Sequence, residues 1–125
     1  MKVSEVMNKA VVIEDNTNLK DAAKIMSDRA MGSLIILKKD KIVGIVTERD
    51  IMKNVNKLGT NVSEIMSKNV IRVEDSETLD NAAIIMGSHK IKRLPVMHKD
   101  KLVGIITATD ILANSEALNE SFLLE

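Results

Sequence analysis

The sequence predicts an α+β fold built from two copies of one β-α-β-β-α unit, packed sheet to sheet about a pseudo-two-fold axis. Three observations predict it. First, VGIVTERDI at 43–51 returns as VGIITATDI at 103–111. Second, the likeness extends far beyond that phrase. Over residues 3–52, 23 of 50 aligned pairs are identical, at a shift of 59 that becomes 60 after one inserted residue near 71. That is the mark of an internal duplication. Third, each copy alternates short apolar runs with one stretch of helical spacing, separated by turn residues.

The elements follow in order. VSEVM at 3–7 and VSEIM at 62–66 precede the first strand of each copy, and VVI at 11–13 is that strand in the first. Asn18 is placed to cap a helix with Asp21 three residues on, and Thr78 with Asn81 repeats the arrangement. The helix shows Leu19, Ala22, Ala23 and Met26 on one face, matched by Leu79, Ala82, Ala83 and Met86. The strands SLIIL at 33–37 and IVGIV at 42–46 are joined by a Lys-Asp-Lys turn and read as a hairpin, as do RLPVM at 93–97 and LVGII at 102–106. A second helix begins at each threonine of the repeated phrase. Pro95, the single proline, cannot donate to a ladder and predicts an edge strand or a bulge.

The expected organisation is a first repeat over 1–55, a linker over 56–61 and a second repeat over 62–125. The linker lies in the polar KNVNKLGTN at 53–61, which holds Gly59. Residues 108–125 are expected to form a longer helix, with Leu118 and Phe122 sharing a face that covers the core or meets another subunit. One copy alone is marginal in size, so two copies sharing a core is the stable solution.

Composition narrows the function. Lys plus Arg and Asp plus Glu are both 18, so the net charge is zero, and Phe122 is the one aromatic residue. A neutral chain without aromatic platforms argues against nucleic-acid binding. The absence of cysteine removes thiolate nucleophiles, disulfides and Cys-based zinc sites. No apolar run has the length of a membrane span and the start lacks a signal-peptide core, so a soluble cytoplasmic protein is expected.

The repeated phrases, the IKRLPVM stretch at 91–97 and the VSEVM/VSEIM pair together resemble a tandem pair of CBS domains, the unit called a Bateman module. The resemblance spans about residues 3–114. It implies a regulatory module that binds AMP, ADP, ATP or S-adenosylmethionine in clefts between the two copies. It also implies pairing of modules into a disc-like homodimer. No cofactor is required; the adenosine compound is the regulatory ligand, with magnesium between carboxylates and phosphates as a secondary expectation. Since the sequence shows no output domain, the effector is expected to be a separate protein.

The residues give that implication a chemical basis. T-x-x-D at a helix start is a capping box in both copies. An ionised carboxylate has about four acceptor positions, so it can cap a helix and still accept two ribose hydroxyls. The resemblance assigns Asp50 and Asp110 to ribose, and Thr47 and Thr107 to the ribose or phosphate. It gives Lys92 and Arg93 to phosphate, although Lys92 stands where nucleotide-binding relatives often carry histidine. The first copy has Gly32 and Ser33 there instead, but carries Arg49, so Arg49, Lys92 and Arg93 are expected to converge on one anionic group. Ile13, Ile35, Val73 and Pro95 are candidate walls for adenine, and plain core positions otherwise. Gly44 and Gly104 lie inside strands, where a helix or a ligand approaches closely.

Catalysis is not expected. His89 and His98 have no partner at metal-ligand spacing, and no phosphate-binding or dinucleotide glycine loop is present. The alternative function is a dimeric interaction module without nucleotide dependence.

Overall fold

A computed structural model describes residues 1–115. Its elements are β1 (Val12–Glu14), α1 (Leu19–Arg29), β2 (Ser33–Lys38), β3 (Lys41–Thr47), α2 (Glu48–Lys53), β4 (Val73–Glu74), α3 (Leu79–His89), β5 (Arg93–His98), β6 (Lys101–Thr107) and α4 (Ala108–Ala113). This is the expected order, given twice. Each copy forms a three-stranded sheet, β1-β2-β3 or β4-β5-β6, parallel at the first pair and antiparallel at the hairpin.

The local chemistry sets the boundaries. Asn18 accepts from the Asp21 N–H at 2.8 Å and Thr78 from the Asn81 N–H at 3.1 Å, so both expected caps form. Both helices end on a left-handed residue, Ala30 (φ 52°) or Lys90 (φ 55°), where glycine would be commoner. The two-residue loop Lys39–Asp40 has positive φ at both positions, the backbone that joins twisted strands tightly. α4 ends at Ala113, capped by Asn114, just as α2 ends before Asn54. The long helix expected from 108 therefore stops there, and Leu118 and Phe122 lie outside the described residues.

Pro95 is placed differently from the expectation of an edge strand. β5 is the middle strand of its sheet. In the first copy the equivalent Ile35 donates its N–H to the Val11 carbonyl at 3.0 Å. Proline removes that donor. The neighbouring strand responds by shortening: β1 pairs three residues with β2, whereas β4 pairs only Val73 and Glu74 with β5. The hairpin bulge at Val96/Met97 has a counterpart at Ile36/Leu37, so proline does not cause it.

The chain divides into two compact units, and they are not the two sequence repeats. One unit is 10–70; the other, among the described residues, is 1–9 together with 71–115. In the 10–70 unit the core is Ile13, Leu19, Ala22, Met26, Leu34, Ile36, Val46 and Val62. In the other it is Val73, Leu79, Ala82, Met86, Leu94, Val96, Ile106 and Val3. Position by position the two cores are the same. The last members are the exception in origin: Val62 comes from near the C-terminal end of its own continuous unit, while Val3 reaches its unit from the far side of 10–70.

The stretch expected to be a linker is built into the 10–70 unit. Leu58 packs against that core, and the Leu58 and Thr60 carbonyls accept from the Lys20 and Leu19 N–H groups at 2.9 and 2.8 Å. They satisfy donors that the first turn of α1 cannot satisfy internally. In the other unit Met1 provides the same service, its carbonyl accepting from Leu79 at 3.1 Å.

The intrastrand glycines report the same seating. A Cβ on Gly44 would lie 2.6 Å from Met66 Cγ, and one on Gly104 would lie 2.7 Å from the Asn8 carbonyl oxygen and 2.9 Å from Met7 Sδ. The close approach comes from the VSEIM and VSEVM segments, rather than from a helix or a ligand. Both glycines have negative φ, so space and not backbone conformation demands them.

Candidate functional site

The repeated T-x-x-D phrases each end a sheet and start a helix. β3 and β6 deliver the threonine in extended conformation, and α2 and α4 begin at the next residue. Thr47 Oγ1 accepts from the Asp50 N–H at 3.4 Å; Asp50 Oδ2 accepts from the Thr47 N–H at 2.8 Å and its hydroxyl at 3.1 Å. In the other copy the corresponding distances are 3.2, 2.9 and 2.8 Å. The capping box is complete in both. Below it, Asn54 and Asn114 amides donate to the carbonyls of Asp50 and Asp110 at 2.7 and 2.8 Å.

Each carboxylate is thus held through one oxygen. Oδ2 carries the capping bonds, and Oδ1 of both Asp50 and Asp110 receives no hydrogen bond among the described residues. Both aspartates are half-buried. A fixed carboxylate with one open oxygen is suited to accepting from a hydroxyl or amide of a small molecule.

The two copies differ at one contact that sequence reasoning missed. Asn8 Nδ2 donates to Asp110 Oδ2 at 3.0 Å. Its structural counterpart beside β3 is Ser67, whose backbone forms the same bridge to Ile45 that Asn8 forms to Ile105. No short-range pattern links residue 8 to residue 110; only the seating of residues 1–9 on the second repeat brings them together.

The basic candidates lie at these places within their own units. Arg93 opens β5, half-buried and directly opposite Thr107 in the ladder, so it belongs to the Asp110 end of its sheet. Lys92 is exposed, with its carbonyl accepting from the Ala108 N–H at 2.8 Å at the start of α4. Arg49 is exposed on α2 of the 10–70 unit. Among the described residues none of the three forms an ion pair. Ile13 and Val73 are members of their own unit's core. Ile35 and Pro95 are buried at equivalent places in the two middle strands.

The remaining titratable groups do other things. His98 Nδ1 lies 3.2 Å from both Asp75 oxygens, and His89 Nδ1 meets the Ile85 carbonyl at 3.0 Å on its own helix. Among the described residues no three His, Cys, Asp or Glu side chains gather to hold a metal, and no helix is long and apolar enough to cross a membrane.

With this geometry in view, comparison with known proteins decides the family. The model of the CBS domain matches twice, over residues 3–57 and 62–116. The chain belongs to the CBS domain family. The pair is 33% identical over 114 residues to uncharacterized protein MJ1232 of Methanocaldococcus jannaschii, covering 90% of this chain and 38% of that one. It is 35% identical over 112 residues to a homoserine O-acetyltransferase of Methanohalobium evestigatum, covering 87% of this chain and 23% of the enzyme. The chain therefore spans well under half the length of these curated relatives. Among solved structures, the CBS domain pair of protein MJ0100, in complex with 5-methylthioadenosine and S-adenosyl-L-methionine, superposes with a TM-score of 0.83 at 32% identity, over 89% of this chain and 92% of that one. CBS pairs are in general regulatory ligand-binding modules, although some relatives of this pair, as above, are parts of enzymes.

Proposed function

We propose that this CBS pair is a regulatory module that binds an adenosine-containing ligand through its T-x-x-D helix starts and signals to a separate protein. The observation that carries the reading is the geometry of Asp50 and Asp110. Each is immobilised through Oδ2 and open at Oδ1, the arrangement needed to accept from vicinal ribose hydroxyls without first ordering the carboxylate. Thr47 and Thr107 set that geometry. Arg93 stands at the Asp110 end of its sheet and supplies positive charge for a phosphate or a carboxylate, with Lys92 adjacent in sequence and Arg49 serving the Asp50 end. Support for adenosine comes from the related CBS pair that holds methylthioadenosine and S-adenosylmethionine. The protein is assigned no catalytic step. Its output is a shift between states, limited to the ligand's difference in affinity for them.

The test is thermal unfolding with AMP, ADP, ATP, S-adenosylmethionine and a guanosine control, followed by calorimetry. A ligand at about 100 times its Kd stabilises by about 2.7 kcal/mol. The rise should be specific to adenosine compounds and should disappear in the Asp50→Ala/Asp110→Ala double variant. Undiminished affinity in that variant would sink the site assignment. No shift with any compound would leave an interaction module that works without nucleotide.

A further inference from the structure

The segment Met1–Lys9 completes a unit to which it is not locally connected. Val3 is fully buried in the core of the 71–115 residues. The Val3 and Ser4 N–H groups donate to the Glu77 and Asp75 carbonyls at 2.8 and 3.0 Å, Met1 caps the start of α3, and Asn8 forms a two-way bridge to Ile105 at 2.8 and 2.9 Å. Residues 60–67 sit on the rest of the 10–70 unit through equivalents of all but the Ser4 bond: Val62 to Thr17 at 2.8 Å, Leu19 to Thr60 at 2.8 Å, and Ser67 with Ile45 at 3.0 Å both ways. One seat is filled from the end of its own continuous unit; the other is filled by a segment that more than 60 residues separate from the rest of its unit. Two equivalent seats thus take two near-identical segments, V-S-E-V-M and V-S-E-I-M, through two different tethers.

The tether itself is not held by backbone hydrogen bonds. Lys9 and Ala10, where the chain passes from one unit to the other, neither give nor receive a backbone hydrogen bond among the described residues. Lifting residues 1–9 off their seat breaks no bond within 10–70.

We infer that the seat on the second repeat is an interaction surface for a second copy of this chain: residues 1–9 of one molecule occupy the seat of another. Every hydrogen bond of the closed molecule is re-formed in the exchanged one, so exchange costs little beyond association. The incoming segment brings its own Asn8 to Asp110, so the partner copy contributes a residue to the candidate ligand site. A short tether holds its segment at an effective concentration in the millimolar range, so exchange grows as protein concentration approaches that range.

The protein's lack of cysteine makes the test clean. Lys2 and Thr78 face each other in an antiparallel bridge. Such partners have Cα atoms about 4.5–5.5 Å apart, within disulfide range. A Lys2→Cys chain and a Thr78→Cys chain, each with a single thiol, are mixed, incubated folded at rising concentration and oxidised. The mixed disulfide dimer is expected to rise with concentration and to exceed the Lys2→Cys self-dimer. It should fall more than about tenfold when the Lys2→Cys chain also carries Val3→Asp, which puts an unpaired charge into the seat. The inference is overturned if the Lys2→Cys/Thr78→Cys double variant closes within its own chain while the mixture gives no dimer above the self-dimer level. Should the double variant fail to close, a nitroxide on Lys2→Cys of one chain reads the same contact. Broadening of the Leu79 amide in a nitrogen-15-labelled wild-type chain, lost with Val3→Asp, supports exchange, and no broadening overturns it.

Discussion

Gly104→Ala should cost more than Gly44→Ala, although the two glycines are equivalent in the duplication. The backbone of both accepts alanine, since neither has positive φ. The difference lies in what the new methyl meets. At Gly104 it would stand 2.7 Å from the Asn8 carbonyl oxygen, and ordinary contact begins near 3.4 Å, so the backbone of Asn8 must retreat by about 0.7 Å. That carbonyl accepts from the Ile105 N–H at 2.9 Å, and the Asn8 N–H donates back at 2.8 Å. Both bonds are strained or lost together. Overpacking costs about 1–3 kcal/mol, each bond contributes about 0.5–1.5 kcal/mol, and removing a glycine returns about 0.5–1 kcal/mol through the unfolded chain. The net loss is about 3 kcal/mol. At about 4 °C per kcal/mol for a chain of this size, the midpoint falls by roughly 12 °C. At Gly44 the three nearest atoms all belong to the Met66 side chain. The flexible Sδ and Cγ can swing aside, while Met66 Cβ, at 3.0 Å, must give by a few tenths of an ångström, so the loss is about 1.5 kcal/mol, or roughly 6 °C. Urea unfolding followed by circular dichroism gives both values. Amide exchange gives the local signature: the Ile105 N–H should lose protection in Gly104→Ala, whereas the Ile45 N–H, which donates to Ser67, should keep it in Gly44→Ala. Equal losses, or a protected Ile105 amide in Gly104→Ala, would refute the argument that the seated backbone of residues 7–8 requires the glycine.

Other substitutions follow from the same contacts. Asp110→Ala removes a capping carboxylate and should destabilise by about 0.5–2 kcal/mol. It should exceed Asp50→Ala by about 0.5–1 kcal/mol, because Asn8 then loses its partner as well. Chemical denaturation of the two variants and of Asn8→Ala gives the comparison, and Asn8→Ala should bring the two aspartate variants level. Ile35→Pro should delete the bond from Ile35 to the Val11 carbonyl and cost about 1–3 kcal/mol; hydrogen exchange should show β1 opening before β2 and β3. Ala30→Gly and Lys90→Gly should each stabilise by about 0.5–1 kcal/mol, since both residues hold positive φ at a helix C-terminus, and a calorimetric midpoint rise checks it.

How much of this was legible in the sequence varies by kind of residue. The caps Asn18, Thr78, Thr47 and Thr107 were readable because a cap is a contact across three residues, and those residues adjoin in the text. The hairpins were readable for the same reason. Pro95 shows in the sequence as a missing hydrogen-bond donor, but the sequence does not show which strand gives way to it. The missing donor shortened β4 rather than moving β5 to the edge, because the neighbouring strand can give up one pair while the rest of the sheet stays intact. Gly44 and Gly104 show in the sequence as close approaches, with a helix or a ligand as the expected cause, whereas the VSEIM and VSEVM segments and Asn8 supply it. The atoms that approach them belong to segments 22 residues later and about 96 residues earlier.

The sequence by itself determined the duplication, the order of elements in each copy and the two capping boxes that hold Asp50 and Asp110. These depend on periodicity and on neighbours within a few positions, and both are written along the chain. Only the tertiary structure decided which VSE-containing segment completes which core. Two near-identical segments face two near-identical seats, so local preference cannot choose between the pairings. That choice placed Asn8 on Asp110 and left Asp50 without a counterpart, turning a symmetric text into two unequal sites.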